Sequence, residues 1–169
     1  MTLPVRLTTT PRPKTKDAEL GFGRVFADHV VLAEHTSDQG WHDARIEPYG
    51  PLPMDPAAGV FHYGQAMFEG MKAFRAADGG VNLFRPAHHC ERMAAGAPRL
   101  CMPSVDPAAM LEWVAQLVKL DQEWVPSSAG TALYIRPTLI ATEGYLGVRP
   151  ASRYLFFVIT SPVGAYYAG

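Results

Sequence analysis

The spacing of apolar residues changes twice along the chain, and these changes separate strands from helices. Before residue 86 and after residue 130, short apolar or alternating runs are bounded by Gly, Pro and Asp residues, which is typical of β-strands. Strands are predicted over residues 24–34, 41–48, 71–75, 81–85, 131–141 and 153–160. Asp78-Gly79-Gly80 separates two of them and predicts a hairpin. The last strand, RYLFFVIT, is almost continuously apolar and is expected at the centre of a sheet or covered on both faces.

The middle of the chain follows the helical period. Pro86 begins a predicted helix that runs to about Ala97, with apolar residues at three- and four-residue spacing. A second helix is predicted from an N-cap at Asp106, followed by Pro107, to about Glu123. Strands followed by two helices and further strands indicate an α+β fold, in which an antiparallel-rich sheet carries two main helices on one side.

The composition indicates one folded domain preceded by an arm. Apolar residues make up 48% of the 169 residues and charged residues 18%, which is enough apolar surface for one core. Residues 1–16 contain four basic side chains, three prolines and no acidic side chain. We therefore expect a flexible N-terminal arm over residues 1–19 and a domain that begins near Leu20.

Charge and apolar run length argue against several classes of protein. The net charge of −1 gives no sequence-wide electrostatic reason to bind nucleic acid or an anionic membrane. No run approaches the ~18 apolar residues of a membrane span, and residues 1–16 lack the apolar centre of a secretory signal, so we expect a cytoplasmic protein. Cys90 and Cys101 are expected to be reduced core thiols, and the six histidines form no metal-binding motif.

Five segments are more specific than these general patterns. They are FGRVFADH (22–29), HYGQAMFEGMKAFR (62–75), LFRPAHHCERM (83–93), LYIRPTLIATEGYLGV (133–148) and SPVGAYYAG (161–169). In this order and spacing they resemble the branched-chain-amino-acid aminotransferases, which are class IV (fold-type IV) pyridoxal-phosphate enzymes. The resemblance implies pyridoxal 5′-phosphate as cofactor. It also implies transamination between L-leucine, L-isoleucine or L-valine and 2-oxoglutarate, which gives a branched 2-oxo acid and L-glutamate.

The resemblance covers only the small N-terminal domain of that family. It implies that residues 20–163 form this domain, that residues 164–169 begin the interdomain connection, and that the second domain is absent. The family's Schiff-base lysine lies in the second domain, so it is expected beyond Gly169. No catalytic residue is therefore expected in this chain, which alone is expected to be inactive, and the lysines present, such as Lys72, match no such context.

The resemblance also assigns binding roles. Arg92 matches the position that contacts the cofactor phosphate. Arg136 of the YIRP motif matches the arginine that binds the distal carboxylate of glutamate, and Tyr134, two residues earlier on a predicted strand, shares its face. Positions of the substrate side-chain pocket are matched by Phe22, Tyr63, Phe68, Val163 and Tyr166. In the family's homodimer, a loop matched by Leu146 and Val148 reaches the neighbouring subunit's site, as does the segment with Tyr63.

Glu69 and Gly70 of the FEGMK motif are expected to serve turn geometry and a buried hydrogen bond, without a chemical role. Three alternatives remain open at this point. One is another fold-type IV enzyme, such as a D-amino-acid transaminase or an aminodeoxychorismate lyase, although the paired YIRPTLI and VGAYYAG motifs favour the branched-chain type. The second is a non-catalytic module that pairs with a full-length relative. The third is an unstable fragment with no function of its own, which would expose apolar surface and aggregate.

Overall fold

One antiparallel sheet dominates the computed structural model, which describes residues 2–164. Its seven strands follow the order β2-β1-β7-β6-β4-β5, and β3 pairs with β6 beside this path. The strands are β1 His29–Thr36, β2 Gly40–Pro48, β3 Ala66–Phe68, β4 Met71–Arg75, β5 Val81–Leu83, β6 Ala132–Ala141 and β7 Arg153–Val163. The apolar segment RYLFFVIT thus lies in β7 at the centre of the sheet, which confirms one of its two expected placements.

Two main helices cover one face of this sheet. They are α2 Pro86–Gly96 and α3 Pro107–Leu120, while α1 Gly59–Tyr63 is a short helix in a loop. The Asp106 carboxylate caps α3 by accepting the Ala109 N–H at 2.9 Å, as the sequence predicts. Trp113 of α3 packs against Phe156 of β7 with ring centroids 5.8 Å apart. The predicted α+β fold, with an antiparallel sheet and two helices on one side, is confirmed.

Alternation along β6 decides which side chains remain available for a site. Leu133 and Ile135 are fully buried in the core under the helices. Because successive side chains of a strand point to opposite faces, Tyr134 and Arg136 lie on the other face. Both are half-buried there. The sheet therefore has a core face and an open face, and the open face carries the YIRP side chains.

The expectation that packing begins near Leu20 is wrong. Leu3 is only 5% exposed in the core, and its N–H donates to the Gln116 side chain at 2.8 Å. Val5 forms a parallel bridge with Ile46 of β2. The physical reason is that β2 is an edge strand with unpaired backbone groups, which the first residues of the chain satisfy.

A buried histidine also holds the N-terminal segment. His29 Nε2 accepts the Thr8 N–H at 3.1 Å, and His29 Nδ1 lies 2.7 Å from an Asp121 carboxylate oxygen. Since Nε2 is the acceptor, the proton of the neutral ring lies on Nδ1 and is donated to Asp121. Residues 2–19, expected as a flexible arm, are therefore tied to both the sheet and the end of α3.

Two local predictions need correction, and one strand was not predicted. The first strand begins at His29 rather than residue 24, because the Asp28 carboxylate accepts the Arg12 N–H and Trp124 Nε1–H at 2.9 and 3.0 Å and holds this segment in a loop. The second helix ends at Leu120, and residues 122–124 form a separate 3-10 turn. No pattern in the sequence indicates β3.

Only one of the two cysteines is a core thiol. Cys90 is fully buried, whereas Cys101 is exposed. Cys101 has a φ of 54° at the end of a 3-10 turn, where it lies between the exposed Leu100 and the buried Met102. Burial, with the nearby carboxylates of Glu69 and Glu91, raises the pKa of the Cys90 thiol to about 11.

Candidate active site

Tyr134 and Arg136 form a hydrogen-bonded pair on the open face of β6. Arg136 Nε donates to the Tyr134 hydroxyl oxygen at 3.0 Å. On β7 their cross-strand partners are Ser161 and Ile159. Because the Tyr134 oxygen accepts from Arg136, its own O–H remains able to donate. A carboxylate placed here would meet a guanidinium and a hydroxyl donor side by side.

Two phenyl rings surround this pair. The Arg136 guanidinium carbon lies 4.0 Å from the centroid of the Phe68 ring, and the Phe22 ring lies 5.1 Å from that of Tyr134. Stacking of this kind contributes about 0.5–2 kcal/mol and limits the rotation of the guanidinium. A cavity of about 210 Å³ adjoins it, lined by Phe22, Gly23, Phe26, Tyr134, Arg136, Ile159 and Ser161.

The Tyr134 hydroxyl lies close against the backbone of Gly70. A Cβ atom at Gly70 would lie 2.3 Å from this oxygen, which is far inside van der Waals contact. Glycine is therefore needed at this position because of a close approach. The FEG segment thus determines where the YIRP tyrosine can lie.

Glu69 connects this segment to α2. It is 7% exposed, and its carboxylate accepts hydrogen bonds from both Nε and Nη2 of Arg92. The Gly70 N–H donates to the same carboxylate at 2.7 Å, and His89 Nδ1 lies 3.5 Å from it. Burial alone favours the neutral acid, but the hydrogen bonds from Arg92 and Gly70 outweigh it and hold the pKa of Glu69 below its ordinary value.

The Arg92 side chain is exposed and borders a cationic cavity. This cavity measures about 580 Å³ and is lined by Phe84, Arg85, His88, His89, Glu91, Arg92 and Ala95. Glu69 engages Nε and Nη2 of Arg92, so the guanidinium edge with Nη1 is available to a ligand. Arginine N–H groups and histidines suit the oxygens of a phosphate, so these residues fit the phosphate of pyridoxal 5′-phosphate.

Tyr63 and Leu146 come together in a second cluster. The Tyr63 hydroxyl donates to the Leu146 carbonyl oxygen, and an isolated bridge between Ala58 and Gly144 joins the same two loops. Tyr63, Leu146 and Val148 are 46%, 59% and 89% exposed. This cluster does not line the cavity next to Arg136. Within residues 2–164, all three side chains therefore remain exposed to solvent.

Two other predicted pocket residues stand apart. Val163 is 1% exposed at the end of β7, opposite Ala132, and does not line the cavity next to Arg136. Tyr166 lies outside the described residues. Lys72 is the cross-strand partner of Tyr134 on β4 and is half-buried.

The expected buried hydrogen bond of Glu69 is confirmed, but its partner could not be predicted from the sequence. Glu69 and Arg92 are 23 residues apart, on a turn and a helix with no common period. The available signal was one acidic residue within the apolar segment AMFEGM. Arg85 also lines the cationic cavity.

Two kinds of structural feature, a membrane-spanning helix and a metal-binding cluster, are absent from residues 2–164. No helix in this range is long and apolar enough to cross a membrane. The range also holds no group of three or more His, Cys, Asp or Glu side chains arranged to bind a metal ion.

Comparison with known proteins gives close relatives by sequence, although no family model matches the chain. Branched-chain-amino-acid aminotransferase 2 of Bacillus subtilis is 50% identical over 166 residues, which is 98% of this chain and 46% of that protein. Branched-chain-amino-acid transaminase 1 of the same organism is 47% identical over 92% of this chain and 44% of that protein. The chain thus spans a little under half the length of the curated relatives it matches.

Solved structures show the same fold. The branched-chain amino acid aminotransferase of Escherichia coli superposes with a TM-score of 0.60 at 19% identity, over 81% of this chain and 40% of that one. The T.th. branched-chain amino acid aminotransferase complexed with N-(5′-phosphopyridoxyl)-L-glutamate gives a TM-score of 0.57 at 21% identity, over 76% and 39%. With about half of the aligned residues identical along nearly all of its length, this chain is similar to a little under half of a branched-chain-amino-acid aminotransferase.

Proposed function

We propose that this chain forms the small-domain half of the active site in a branched-chain-amino-acid transaminase that uses pyridoxal 5′-phosphate. Its substrates would be L-leucine, L-isoleucine or L-valine with 2-oxoglutarate, and its products the branched 2-oxo acid and L-glutamate. The names of the relatives support this activity over that of a D-amino-acid transaminase or an aminodeoxychorismate lyase. The end of the small domain at residue 163 and the start of the interdomain connection at residues 164–169 belong to the same proposal.

The observation that carries the proposal is a fixed guanidinium at the edge of an apolar cavity. Arg136 is held by Tyr134 and Phe68, next to the side chains of Phe22 and Ile159. Such an enzyme must accept an aliphatic side chain and a carboxylate in turn. The apolar wall binds the aliphatic side chain, and Arg136 with Tyr134 binds the distal carboxylate of glutamate without a large rearrangement.

Arg92 would hold the cofactor phosphate. The compound in the T.th. structure joins a phosphopyridoxyl group to glutamate, so it carries both kinds of anion that Arg92 and Arg136 suit here. When bound, pyridoxal phosphate supplies an electron sink for proton removal at the amino-acid Cα. The residues of this chain bind and orient the two anionic ends, and the apolar rings keep water from the substrate side chain.

The exposed cluster of Tyr63, Leu146 and Val148 would complete the pocket of a neighbouring subunit in a cytoplasmic homodimer. Tyr166 would line the substrate side-chain pocket next to Arg136, whereas Val163 is buried at the end of β7 and would only support it from the core. Apolar side chains this exposed are typical of an interface. The reactive lysine is proposed to lie outside these 169 residues.

Substitution of Arg136 tests the substrate assignment in the protein as its host produces it. Arg136→Met removes one charge-assisted carboxylate contact, so kcat/KM for glutamate should fall about tenfold to a hundredfold. The value for leucine should change much less. Arg99→Met, at an exposed position on the helical side of the sheet, is the matched control. Equal losses for both substrates would contradict the proposed carboxylate role.

Chemical labelling tests the lysine assignment. The 169-residue chain and the protein isolated from its host are treated with pyridoxal phosphate, reduced with borohydride and mapped by mass spectrometry. We expect stoichiometric label only on a lysine beyond Gly169. Stoichiometric label on Lys72, which neighbours Tyr134, would show that this chain contains its own reactive amine.

A further inference from the structure

Glu69 is anchored more firmly than the arginine it contacts. Its backbone N–H donates to the Pro137 carbonyl of β6 at 2.9 Å, and its carboxylate accepts the Gly70 N–H. It is 7% exposed, whereas 69% of the Arg92 side chain is exposed. A rigid buried carboxylate therefore determines the orientation of a long, mobile side chain.

The geometry of the contact leaves one edge of the guanidinium unused. Glu69 accepts from Nε and Nη2 of Arg92, and His89 lies 3.4 Å from the same Nη2. No hydrogen bond within residues 2–164 involves Nη1 of Arg92. The unused edge borders the cavity that Arg85 and His88 also line.

We propose that Glu69 is a positioning residue, which holds the Arg92 guanidinium with its Nη1 edge directed at a phosphate monoester in this cavity. The inference rests on the phosphate role of Arg92 under the proposed function. An arginine fixed in advance loses less side-chain entropy when the anion binds. Glu69 itself touches neither substrate nor cofactor.

Charge and positioning predict opposite effects for Glu69→Gln. Removing a negative charge beside Arg92 should tighten phosphate binding if only the net charge of the cavity matters. If Glu69 positions Arg92, the same change should weaken binding by about threefold to tenfold, since one more rotamer-rich side chain must be ordered. The sign of the change therefore separates the two explanations.

The probes are inorganic phosphate and pyridoxine 5′-phosphate, which has no aldehyde and so does not label lysines. Both are titrated into the 15N-labelled 169-residue chain by NMR. Glu91→Gln is the matched control, because Glu91 lines the same cavity but its carboxylate faces His88 at 3.5 Å, whereas Arg92 pairs with Glu69. We expect weaker binding for Glu69→Gln and unchanged or tighter binding for Glu91→Gln. Unchanged or tighter binding for Glu69→Gln, or equal weakening in both variants, would overturn the proposal.

Two further measurements test the proposal even if the Glu69→Gln variant does not fold. Glu69→Asp keeps the charge but shortens the reach, so it should also bind more weakly, and affinity equal to the unsubstituted chain would contradict positioning. In the unsubstituted chain, the Arg92 Nε–H resonance should remain visible at the same chemical shift when phosphate is added, because Nε keeps donating to Glu69. Its loss on phosphate addition would show that the anion displaces Glu69 instead.

Arg92→Lys distinguishes failure of the inference from failure of the proposed function. It should weaken binding of both probes because the planar fork is lost. If Arg92→Lys leaves the affinity unchanged, Arg92 is not the phosphate ligand and the proposed role itself fails. If it weakens binding while Glu69→Gln does not, the phosphate role of Arg92 stands and Glu69 has no positioning role.

Discussion

Replacing Gly70 by alanine should displace Tyr134. The new Cβ would lie 2.3 Å from the Tyr134 hydroxyl oxygen and 3.0 Å from the ring carbon that bears it. The hydroxyl must therefore move by more than 1 Å to reach ordinary contact, roughly 3.4 Å, which breaks its hydrogen bond with Arg136. Overpacking of this kind costs about 1–3 kcal/mol of the free energy of unfolding.

A double-mutant cycle separates the clash from general effects of alanine. Tyr134→Phe removes the oxygen at 2.3 Å and leaves only the contacts of 3.0 and 3.1 Å with ring carbons. The double variant Gly70→Ala/Tyr134→Phe should therefore be less destabilised than the sum of the single variants, by about 1 kcal/mol or more. Urea unfolding followed by circular dichroism measures all four free energies.

Gly50→Ala serves as the control, because nothing lies within 4 Å of a Cβ there. It should be neutral or stabilise the fold by about 0.4–1 kcal/mol. Additive effects in the cycle, or a Gly70→Ala variant as stable as Gly50→Ala, would refute the argument that the hydroxyl requires this glycine.

Three other predictions concern separate parts of the fold. Cys101 should react with a thiol reagent in the native protein at neutral pH, whereas Cys90, buried with a pKa of about 11, should react only after unfolding, as Ellman's assay would show. The folded-state pKa of Glu69 lies below its ordinary value, so its contribution to stability is present above about pH 4.5 and is lost as the pH falls through the folded value. The difference in urea midpoint between the unsubstituted chain and Glu69→Gln should therefore shrink between pH 6 and pH 3, and a constant difference would contradict this linkage. Leu3→Ala should cost about 2 kcal/mol or more in urea unfolding, whereas the exposed control Leu7→Ala should cost less than about 0.5 kcal/mol.

The strands that carry local signals were predictable, and those held by distant contacts were not. RYLFFVIT is apolar on both faces, so its central position followed from its own residues. The first strand began later than predicted because the Asp28 carboxylate accepts from Trp124, 96 residues away. Residues 2–19 resembled a free arm because their partners, an edge strand and the end of α3, lie far along the chain.

Part of the candidate site could likewise be predicted from the sequence, and part could not. Tyr134 and Arg136 share a face because strands alternate, and this could be predicted from their spacing alone. The contacts of Arg136 with Phe68 and of Arg92 with Glu69 depend on how β3 and α2 pack beside β6. No periodicity along the chain contains that information, so Glu69 could be predicted as buried but not as the partner of Arg92.

Among the strands within residues 2–164, the one at the centre of the sheet also comes last along the chain. β1 and β6 share no partner until β7 enters between them, and Val31 of β1 pairs with Val158, made 127 residues later. Until those residues are added, two parts of the sheet each keep an open edge. One is the β1–β2 hairpin, and the other is β6 with its partners β3 and β4. Long-range pairing of this kind slows folding, and exposed edges recruit other chains. Nascent chains in which β7 has not yet emerged should therefore be the species that chaperones bind, and pairing of residues 153–163 with β1 and β6 is the step that ends this exposure.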